Sequence, residues 1–351
     1  MKLLAISDVY IPEASMRRGL ESLEQFGVEV DTRPWEHASL EGLQEANLEI
    51  ERGGAEAVAL PADLLRNIAD YQIAIVQFAP LGRAFIEQAS SLKLIGVLRG
   101  GTENIAVQYA TDRGICVMNT PGRNARAVAE CTVGLILTEL RNLARAHASL
   151  RAGHWTRDFP NSDVIPELGG KTIGLVGYGA VGQLVAQFLG AFDSHIIAYD
   201  PYFRGDPAQT ELVDLEQLLE RSDVISLHAR LTEENQHLIG REQLRQMKPT
   251  AVLVNTARSG LVDEAALVEA LTDKSIMGAA LDVFDVEPLP ADHPLLKLDC
   301  VTLAPHLAGS TIDAFRNSPR LMAEHLKRML NGSKNLPIVN GIMPDLGSSP
   351  K

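Results

Sequence analysis

The sequence has few cysteines, no long apolar run and no excess of basic residues. Its three cysteines, Cys116, Cys131 and Cys300, are odd in number and show no CxxC spacing, so we interpret them as reduced thiols of a cytoplasmic protein and predict no metal site. No apolar run approaches the roughly 20 residues of a membrane span, and polar residues interrupt Met1–Asp8 too early for a secretory signal. The net charge of −13 argues against nucleic acid or an anionic membrane as the main partner.

The length of 351 residues suggests two domains, and a composition of 46% hydrophobic and 22% charged residues is typical of globular proteins. Short apolar runs alternate with helical segments before residue 120 and again after residue 170. This rhythm predicts parallel α/β structure in both parts. The first part has no GxGxxG sequence, so we do not expect it to bind a nucleotide.

A glycine-rich turn stands at the centre of the second part. Gly177, Gly179 and Gly182 form GxGxxG between the apolar run Ile173–Val176 and a segment, Gln183–Leu189, with apolar residues at helical spacing. Strand, glycine turn and helix in that order are the context of a dinucleotide site. The first glycine permits the turn, the second lets a pyrophosphate approach the backbone, and the third lets helix and strand pack closely. The helix start then offers free N–H groups to the phosphates.

An acidic residue follows at the distance that this site requires. Asp200 ends the next predicted strand, His195–Asp200, about 20 residues beyond the glycines. A carboxylate there accepts hydrogen bonds from ribose hydroxyls and repels a 2′-phosphate, which favours NAD over NADP. A strand–helix turn without a ligand is the alternative, and the acid favours the nucleotide site.

Polar residues recur at the ends of the predicted strands in the second part. Asp200, Arg258, Asp282 and His306 each lie at or just after the end of an apolar run. Ligands of open α/β sheets bind beyond the carboxyl ends of the strands. We therefore expect these four side chains at one edge of the sheet.

Two of these residues, Arg258 and His306, together with Glu287 suit hydride transfer on a 2-hydroxy acid. The Arg258 guanidinium suits a substrate carboxylate, and His306 suits proton transfer because the ordinary pKa of histidine lies near working pH. Glu287 suits an orienting carboxylate for that ring. Taken singly, a solvated arginine, a scaffold histidine and a Glu-Pro turn are the simpler interpretations; their order after a dinucleotide site favours catalysis.

Seven segments together resemble the D-isomer-specific 2-hydroxyacid dehydrogenases, the family that includes D-3-phosphoglycerate dehydrogenase. They are the glycine turn with Tyr199–Pro201, and Arg99–Ile105, Asn119–Glu130, Val254–Gly260, Leu281–Phe284, Glu287–Pro288 and Pro305–Thr311. The resemblance covers roughly residues 70 to 325. It implies two Rossmann-like or flavodoxin-like parallel-sheet domains with a cleft between them, in a homodimer.

The resemblance also implies the bounds of the domains. Residues 1–120 and 308–351 would form the substrate-binding domain, and residues 121–307 the NAD-binding Rossmann domain. We expect residues 341–351 to be a loose tail. Because the chain ends soon after the last predicted helix, we do not expect the C-terminal regulatory domain of some phosphoglycerate dehydrogenases.

By the same resemblance, Arg258 binds the substrate carboxylate and carbonyl oxygen, His306 is the proton donor, and Glu287 stands behind it. Gly100 and Gly101 would offer backbone N–H groups to the substrate. Besides the three glycines of the turn, the predicted NAD contacts are Ala180, Val181, Asp200, Thr256, Ala257 and Asp282. One departure concerns the cofactor: Arg230 stands where the family usually has proline.

The substrate is less constrained than the reaction. Arg99, Arg123 and Arg126 lie on predicted loops, where they would recognise a phosphate or serve as helix-cap and surface charges. We favour a phosphorylated or sugar-derived acid such as 3-phosphoglycerate, with glyoxylate or hydroxypyruvate reduction as the close alternative. A hypothesis of another class is an NAD-sensing, corepressor-like binding protein; the presence of arginine, glutamate and histidine together favours the enzyme.

Overall fold

The computed structural model describes residues 1–346 and divides the chain into two compact units. One contains residues 1–123 and the chain from Thr311 onward; the other is Asn124–Ser310. Of the predicted tail, residues 347–351 lie outside the described residues. In the described part, no helix combines the length and apolar character needed to cross a membrane. The predicted bounds and roles of the two parts remain predictions.

The first unit is built on a five-stranded sheet in the order β2-β1-β3-β4-β5. All its strand pairs are parallel. Its strands are β1 (Lys2–Ser7), β2 (Glu29–Pro34), β3 (Ile73–Val76), β4 (Leu94–Val97) and β5 (Cys116–Asn119), and its first helices are α1 (Glu13–Leu20), α2 (Leu40–Gly53), α3 (Arg83–Gln88) and α4 (Val107–Asp112). Apolar cores cover both faces of this sheet, as expected of parallel strands.

The second unit is built on a seven-stranded sheet in the order β12-β11-β10-β9-β6-β7-β8. Again every pair is parallel, which confirms the predicted α/β class for both units. Its strands are β6 (Thr172–Val176), β7 (His195–Tyr199), β8 (Glu211–Leu212), β9 (Val224–Leu227), β10 (Val252–Asn255), β11 (Gly278–Leu281) and β12 (Val301–Leu303). Its helices are α5 (Ala125–Leu140), α6 (Leu143–Arg151), α7 (Ala180–Gly190), α8 (Leu215–Arg221), α9 (Arg241–Gln246) and α10 (Glu264–Thr272).

The sequence by itself predicts one long helix from about Ala125 to Leu150. This prediction is wrong, because the structure has the two helices α5 and α6 instead. Asn142 separates them in the left-handed region, with φ of +56°, and its side chain donates to Asn161 at 2.6 Å. Arg145 folds back from α6 and donates to both carboxylate oxygens of the buried Glu139, at 2.7 and 2.8 Å. Neither glycine nor proline marks this break in the sequence.

The chain returns to the first unit in the last helix, α11 (Ile312–Leu330). The sequence predicts this helix from about Ser310 to Leu330. It begins two residues later, because Thr311 caps it by accepting a hydrogen bond from the N–H of Ala314. The short apolar stretch of residues 337–340 predicts an edge piece of the first unit, and the structure has an antiparallel bridge there between Met118 and Ile338.

One buried carboxylate follows the first strand. The Asp8 side chain is 7% exposed, and its Oδ1 accepts the N–H groups of Tyr10 and Ile11 at 2.9 and 3.0 Å. Its Oδ2 has no partner among the described residues. Burial raises the pKa of Asp8 from 3.8 to about 6, although both N–H groups and the charge of Arg123 lower it. Ionising Asp8 therefore costs folding free energy near neutral pH.

Replacing Asp8 by asparagine should remove this cost and keep an acceptor for the two N–H groups. Because the folded-state pKa of Asp8 lies above its value of 3.8 in the unfolded chain, its stabilising contribution is complete below that value and is lost as pH rises through about 6. We expect the free energy of unfolding of Asp8→Asn, relative to wild type, to rise between about pH 4 and pH 7 by up to roughly 3 kcal/mol. Urea unfolding at both pH values measures this, with the exposed Asp63→Asn as control; equal pH dependence in both variants would contradict the prediction.

Candidate active site

Two of the three glycines in the turn are required by close contacts. Gly177 follows β6 with φ of +97°, and a Cβ there would lie 2.5 Å from the backbone N of Ala229. A Cβ on Gly182 would lie 2.3 Å from the carbonyl oxygen of Gly177. Any side chain at either position would push α7 or the β9 loop away from β6.

The middle glycine leaves open space instead. Gly179 is the N-cap of α7, and no atom would lie within 4 Å of a Cβ built on it. Beyond it come Ala180 and Val181, whose N–H groups belong to the first turn of the helix and have no intrahelical partner. Open space in front of free N–H groups fits a pyrophosphate. The turn therefore has the shape and the donors that a dinucleotide site needs.

Asp200 lies against this turn. One carboxylate oxygen accepts the N–H of Tyr178 at 2.8 Å and the other accepts the N–H of Tyr202 at 2.9 Å. Each oxygen keeps a second lone pair. The predicted ribose acceptor is therefore positioned by the backbone of the turn, and its contact with a ribose stays a prediction.

The turn after β10 carries Thr256, Ala257 and Arg258. The side chain of Asn255, 1% exposed, accepts the N–H of Ala257 at 3.0 Å and donates to the carbonyl of Arg258 at 2.9 Å. The hydroxyl of Thr256 is already paired with that of Thr132 at 2.8 Å. Sequence reasoning missed this role of Asn255, although its position at the end of an apolar strand was a signal.

Arg258 is an exposed cation at this edge of the sheet. Its Nη1 donates to the carbonyl oxygen of Ala257 at 2.7 Å. Among residues 1–346, no carboxylate forms an ion pair with it. The guanidinium therefore keeps most of its donors for an incoming anion.

His306 and Glu287 form the dyad that the sequence suggests. The Nδ1 of His306 lies 2.7 Å from Oε2 of Glu287, while Oε1 of Glu287 accepts the N–H of Phe284 at 3.0 Å. A carboxylate beside Nδ1 accepts a hydrogen bond from Nδ1–H, which leaves Nε2 as the ring nitrogen that can exchange a proton with another group. Both side chains are partly exposed, at 51% and 37%, so the dyad is accessible.

Asp282 holds the backbone next to this histidine. Its two carboxylate oxygens accept the N–H groups of Leu307 and Ala308, each at 2.9 Å, and the residue is 1% exposed. His306 itself has φ of +51°, an uncommon conformation for a residue with a side chain. Burial raises the pKa of Asp282, and the two N–H groups lower it. The predicted NAD contact of Asp282 stays a prediction beside this observed role.

Gly100 and Gly101 lie in the first unit, just beyond β4. The side chain of Asn119 donates to the carbonyl oxygen of Gly100 at 2.6 Å. A Cβ on Gly101 would meet the flexible end of Glu103. These two glycines are therefore not part of the group that the second unit assembles, and their substrate contact stays a prediction.

The three arginines considered for a phosphate differ in their surroundings. Arg99 forms ion pairs with Glu103 at 2.6 Å and Glu51 at 3.3 Å in the first unit, and Arg126 pairs with Glu130 at 2.8 Å in the second. Arg123 lies 4.7 Å from the centre of a phenylalanine ring, that of Phe315, and its buried Nη1 has no partner among residues 1–346. Burial and the charge of Arg99 lower the pKa of Arg123 to about 10.

An open cleft lies beside the turn rather than at the dyad. It has a volume of about 1060 Å³ and runs along α7 and β7, where Tyr178, Gln183 and His195 line it. No helix forms between β7 and β8, which leaves this groove open. Its lining includes neither Arg258 nor His306, so we assign the chemistry from the strand ends. The described residues hold no cluster of three His, Cys, Asp or Glu side chains suited to a metal.

Comparison with known proteins adds family matches to this geometry. A family model described as the NAD binding domain of D-isomer specific 2-hydroxyacid dehydrogenase matches residues 133–308. Glyoxylate reductase of Thermofilum pendens is 45% identical over 79% of this chain and 84% of its own length. D-3-phosphoglycerate dehydrogenase of Methanocaldococcus jannaschii is 43% identical over 81% of this chain, but this chain spans only 54% of that protein.

A solved structure of the same family is also similar to this chain. The NAD-complexed D-isomer specific 2-hydroxyacid dehydrogenase of Lactobacillus delbrueckii ssp. bulgaricus aligns with a TM-score of 0.76 and 25% identity. The alignment covers 97% of this chain and all of that one.

The different surroundings of the glycines predict different outcomes on substitution by alanine. Gly179→Ala should leave the unfolding temperature unchanged, since its Cβ meets no protein atom, and weaken NADH binding at least about ten-fold by filling the space for the pyrophosphate. Gly182→Ala should lower both stability and binding. Nucleotide fluorescence titration and thermal unfolding measure the two effects. Gly190→Ala, at the far end of α7 with equally open space, is the control; loss of binding there would contradict the assignment.

Proposed function

This chain belongs to the D-isomer specific 2-hydroxyacid dehydrogenase family, and we propose that Arg258, Glu287 and His306 carry its reaction. It is an NAD-dependent oxidoreductase that interconverts a 2-hydroxy acid and a 2-keto acid. The observation that carries the assignment of residues is the 2.7 Å contact between Nδ1 of His306 and the carboxylate of Glu287.

Each of the three side chains has one task in the reduction of a 2-keto acid. Arg258 binds the substrate carboxylate through paired N–H groups and polarises the carbonyl oxygen. His306 donates the proton on Nε2 to that oxygen and takes it back in the reverse direction. Glu287 keeps the proton on Nδ1 and stabilises the imidazolium. NADH, when bound, supplies the hydride.

The glycine turn and Asp200 would hold the cofactor. The open space at Gly179 supports an approach of the pyrophosphate to the start of α7. The carboxylate of Asp200 supports NAD over NADP, because it would lie near a 2′-phosphate and repel it.

For the substrate, we propose a small unphosphorylated 2-keto acid such as glyoxylate or hydroxypyruvate. Two of the three arginines considered for a phosphate, Arg99 and Arg126, already have carboxylate partners, and a second anion would have to displace them. The glyoxylate reductase match over 84% of that protein's length supports this choice.

A phosphorylated acid such as 3-phosphoglycerate is the second candidate. The observation that favours it is the unpartnered Nη1 of Arg123, a donor without an acceptor that a phosphate oxygen would satisfy. The match to D-3-phosphoglycerate dehydrogenase also favours it, over about half of that protein.

Oxidation of NADH with a panel of 2-keto acids tests the reaction and the residues together. We expect turnover of glyoxylate or hydroxypyruvate, and a fall in kcat of about 10² to 10⁴ in His306→Gln because proton transfer is lost. Arg258→Gln should raise KM and lower kcat, because the bound substrate and the transition state both lose the contact between the guanidinium and the substrate carboxylate.

Two substitutions serve as matched controls in this assay. His195→Gln changes an exposed histidine at the amino end of β7, and Arg245→Gln changes an exposed arginine on α9; both should retain turnover. NADH binding without turnover of any panel member would contradict the dehydrogenase assignment and favour an NAD-sensing binding role.

We further propose a homodimer formed through the second unit. Helix α6 buries none of its residues, and Leu143 and Leu150, seven positions apart on one face, are 54% and 55% exposed. Trp155, just beyond, is 83% exposed. Apolar side chains exposed together are typical of protein interfaces.

The free thiols support the proposed cytoplasmic location.

Placing aspartate on this face should prevent dimer formation. In the variant Leu150→Asp with Trp155→Asp, we expect light scattering to give the mass of one chain, because two charges would be buried without partners. Wild type and the control Leu48→Asp, an exposed leucine on α2 of the first unit, should give twice that mass. An unchanged mass in the double variant would rule out this face.

A further inference from the structure

The segment that carries Glu287 has few attachments of its own. Phe284 is buried in the core of the second unit, but residues 285–288 are exposed. Among residues 1–346, the backbone of 285–288 makes one hydrogen bond to a residue outside the segment. The N–H of Asp285 donates to Oε2 of Glu264 at 3.4 Å. Among the described residues, Glu264 is therefore the contact outside the segment that anchors the backbone on which Glu287 stands.

Glu264 is the first residue of α10 and is held by a histidine. Its Oε1 lies 3.0 Å from Nε2 of His293, and the two side chains are only 19% and 17% exposed. The Nδ1 of His293 accepts the N–H of Leu295 at 3.3 Å. Because Nδ1 is the acceptor, Nε2 carries the proton and donates it to Glu264. The direction of this hydrogen bond is thus fixed.

The second unit therefore contains two histidine–glutamate pairs linked by one short segment. His293 donates to Glu264, Glu264 accepts the N–H of Asp285, and Phe284 next to it donates to Glu287, which contacts His306. The carboxylate of Glu264 thus has one oxygen for the histidine and one for the segment.

We propose that Glu264 and His293 are positioning residues for the reaction: they hold residues 284–287 so that the carboxylate of Glu287 meets Nδ1 of His306. The proposal rests on the function assigned above to Glu287 and His306. Neither Glu264 nor His293 touches the substrate in it; they act through the segment. A displacement of about 1 Å in a catalytic contact lowers rates by up to about 10²-fold, so a half-buried pair at this place controls turnover.

The expected effect is on kcat and on its pH dependence. In Glu264→Ala and in His293→Leu, we expect kcat to fall about ten-fold while KM and the affinity for NADH stay within about two-fold. Two carboxylates face His306, those of Glu287 and Asp282. When Glu287 moves away, the imidazolium loses a stabilising charge, so the alkaline limit of keto-acid reduction should move to lower pH.

Three further variants separate positioning from a general structural role. Glu269→Ala, on the same helix α10 and paired with Arg241 on the surface, should leave kcat and the pH profile unchanged. His293→Gln keeps a donor nitrogen near the place of Nε2 and should restore most of the lost kcat. The double variant Glu264→Ala with His293→Leu should lose no more than either single variant, because both act through one contact. A lower unfolding temperature with an unchanged pH profile would overturn the proposal.

The titration of His306 gives a readout that needs no turnover. The ring signal of His306 in proton NMR spectra of the full chain is assigned by its absence in His306→Gln. Its midpoint pH should fall in Glu264→Ala and stay unchanged in Glu269→Ala. Should Glu264→Ala not fold, Glu264→Gln, which keeps the size and loses the charge, gives the same comparison.

This measurement also keeps the two proposals apart. If wild type reduces no 2-keto acid, the proposed function fails while the NMR midpoint still reports on the pair. An unchanged midpoint in a folded Glu264 variant would refute the positioning role whatever the enzyme's substrate.

Discussion

The placement of His306 depends on the pairing of two neighbouring parallel strands. Leu281 of β11 lies opposite Leu303 of β12, and the N–H of Ala304 donates to the carbonyl of Leu281 at 2.9 Å. Asp282, the next residue after β11, therefore meets the chain just beyond β12 and accepts two of its N–H groups. These two hydrogen bonds to a buried carboxylate offset the cost of the left-handed backbone at His306. The histidine ring is then at the sheet edge before any ligand arrives.

The same pairing brings the glycine turn and the dyad to one edge of the sheet in the second unit. In the sheet, β6 pairs with β9, β9 with β10, β10 with β11 and β11 with β12. Every strand in this series is parallel, so the turn after β6, Arg258 after β10 and His306 after β12 all follow carboxyl ends. The close approach of Gly177 to Ala229, which follows β9, is a direct product of that pairing. The order of the strands in the sheet thus brings together residues that are far apart in the sequence.

The sequence predicted what depends on local pattern and missed what depends on distant side chains. Short apolar runs located the strands, because buried parallel strands need continuous apolar residues, and GxGxxG located the turn, because contacts forbid a Cβ at two of its glycines. The break at Asn142 was missed, since apolar residues continue at helical spacing across it and Arg145 and Glu139 stabilise it through side chains. Glu264 and His293 are 29 residues apart, and no periodicity relates them. The hydrogen bonds of Asp282 were missed for the same reason: they depend on the register of β11 and β12.

Because the chain has a net charge of −13, a guanidinium without a carboxylate partner, such as that of Arg258, is important for binding an anion. An anionic 2-keto acid approaches a protein with 45 acidic and 32 basic residues, so its binding needs a local cation that the protein's own acids have not neutralised. Arg99, Arg126 and Arg145 each have a glutamate partner, whereas the guanidinium of Arg258 has a backbone carbonyl, that of Ala257. A carbonyl orients the group without cancelling its charge, because it contributes a dipole rather than a full negative charge. The carboxylates near the dyad are engaged elsewhere, that of Glu287 with His306 and Phe284 and that of Asp282 with the N–H groups of Leu307 and Ala308. The positive charge of Arg258 is therefore free to meet an anion such as the proposed substrate.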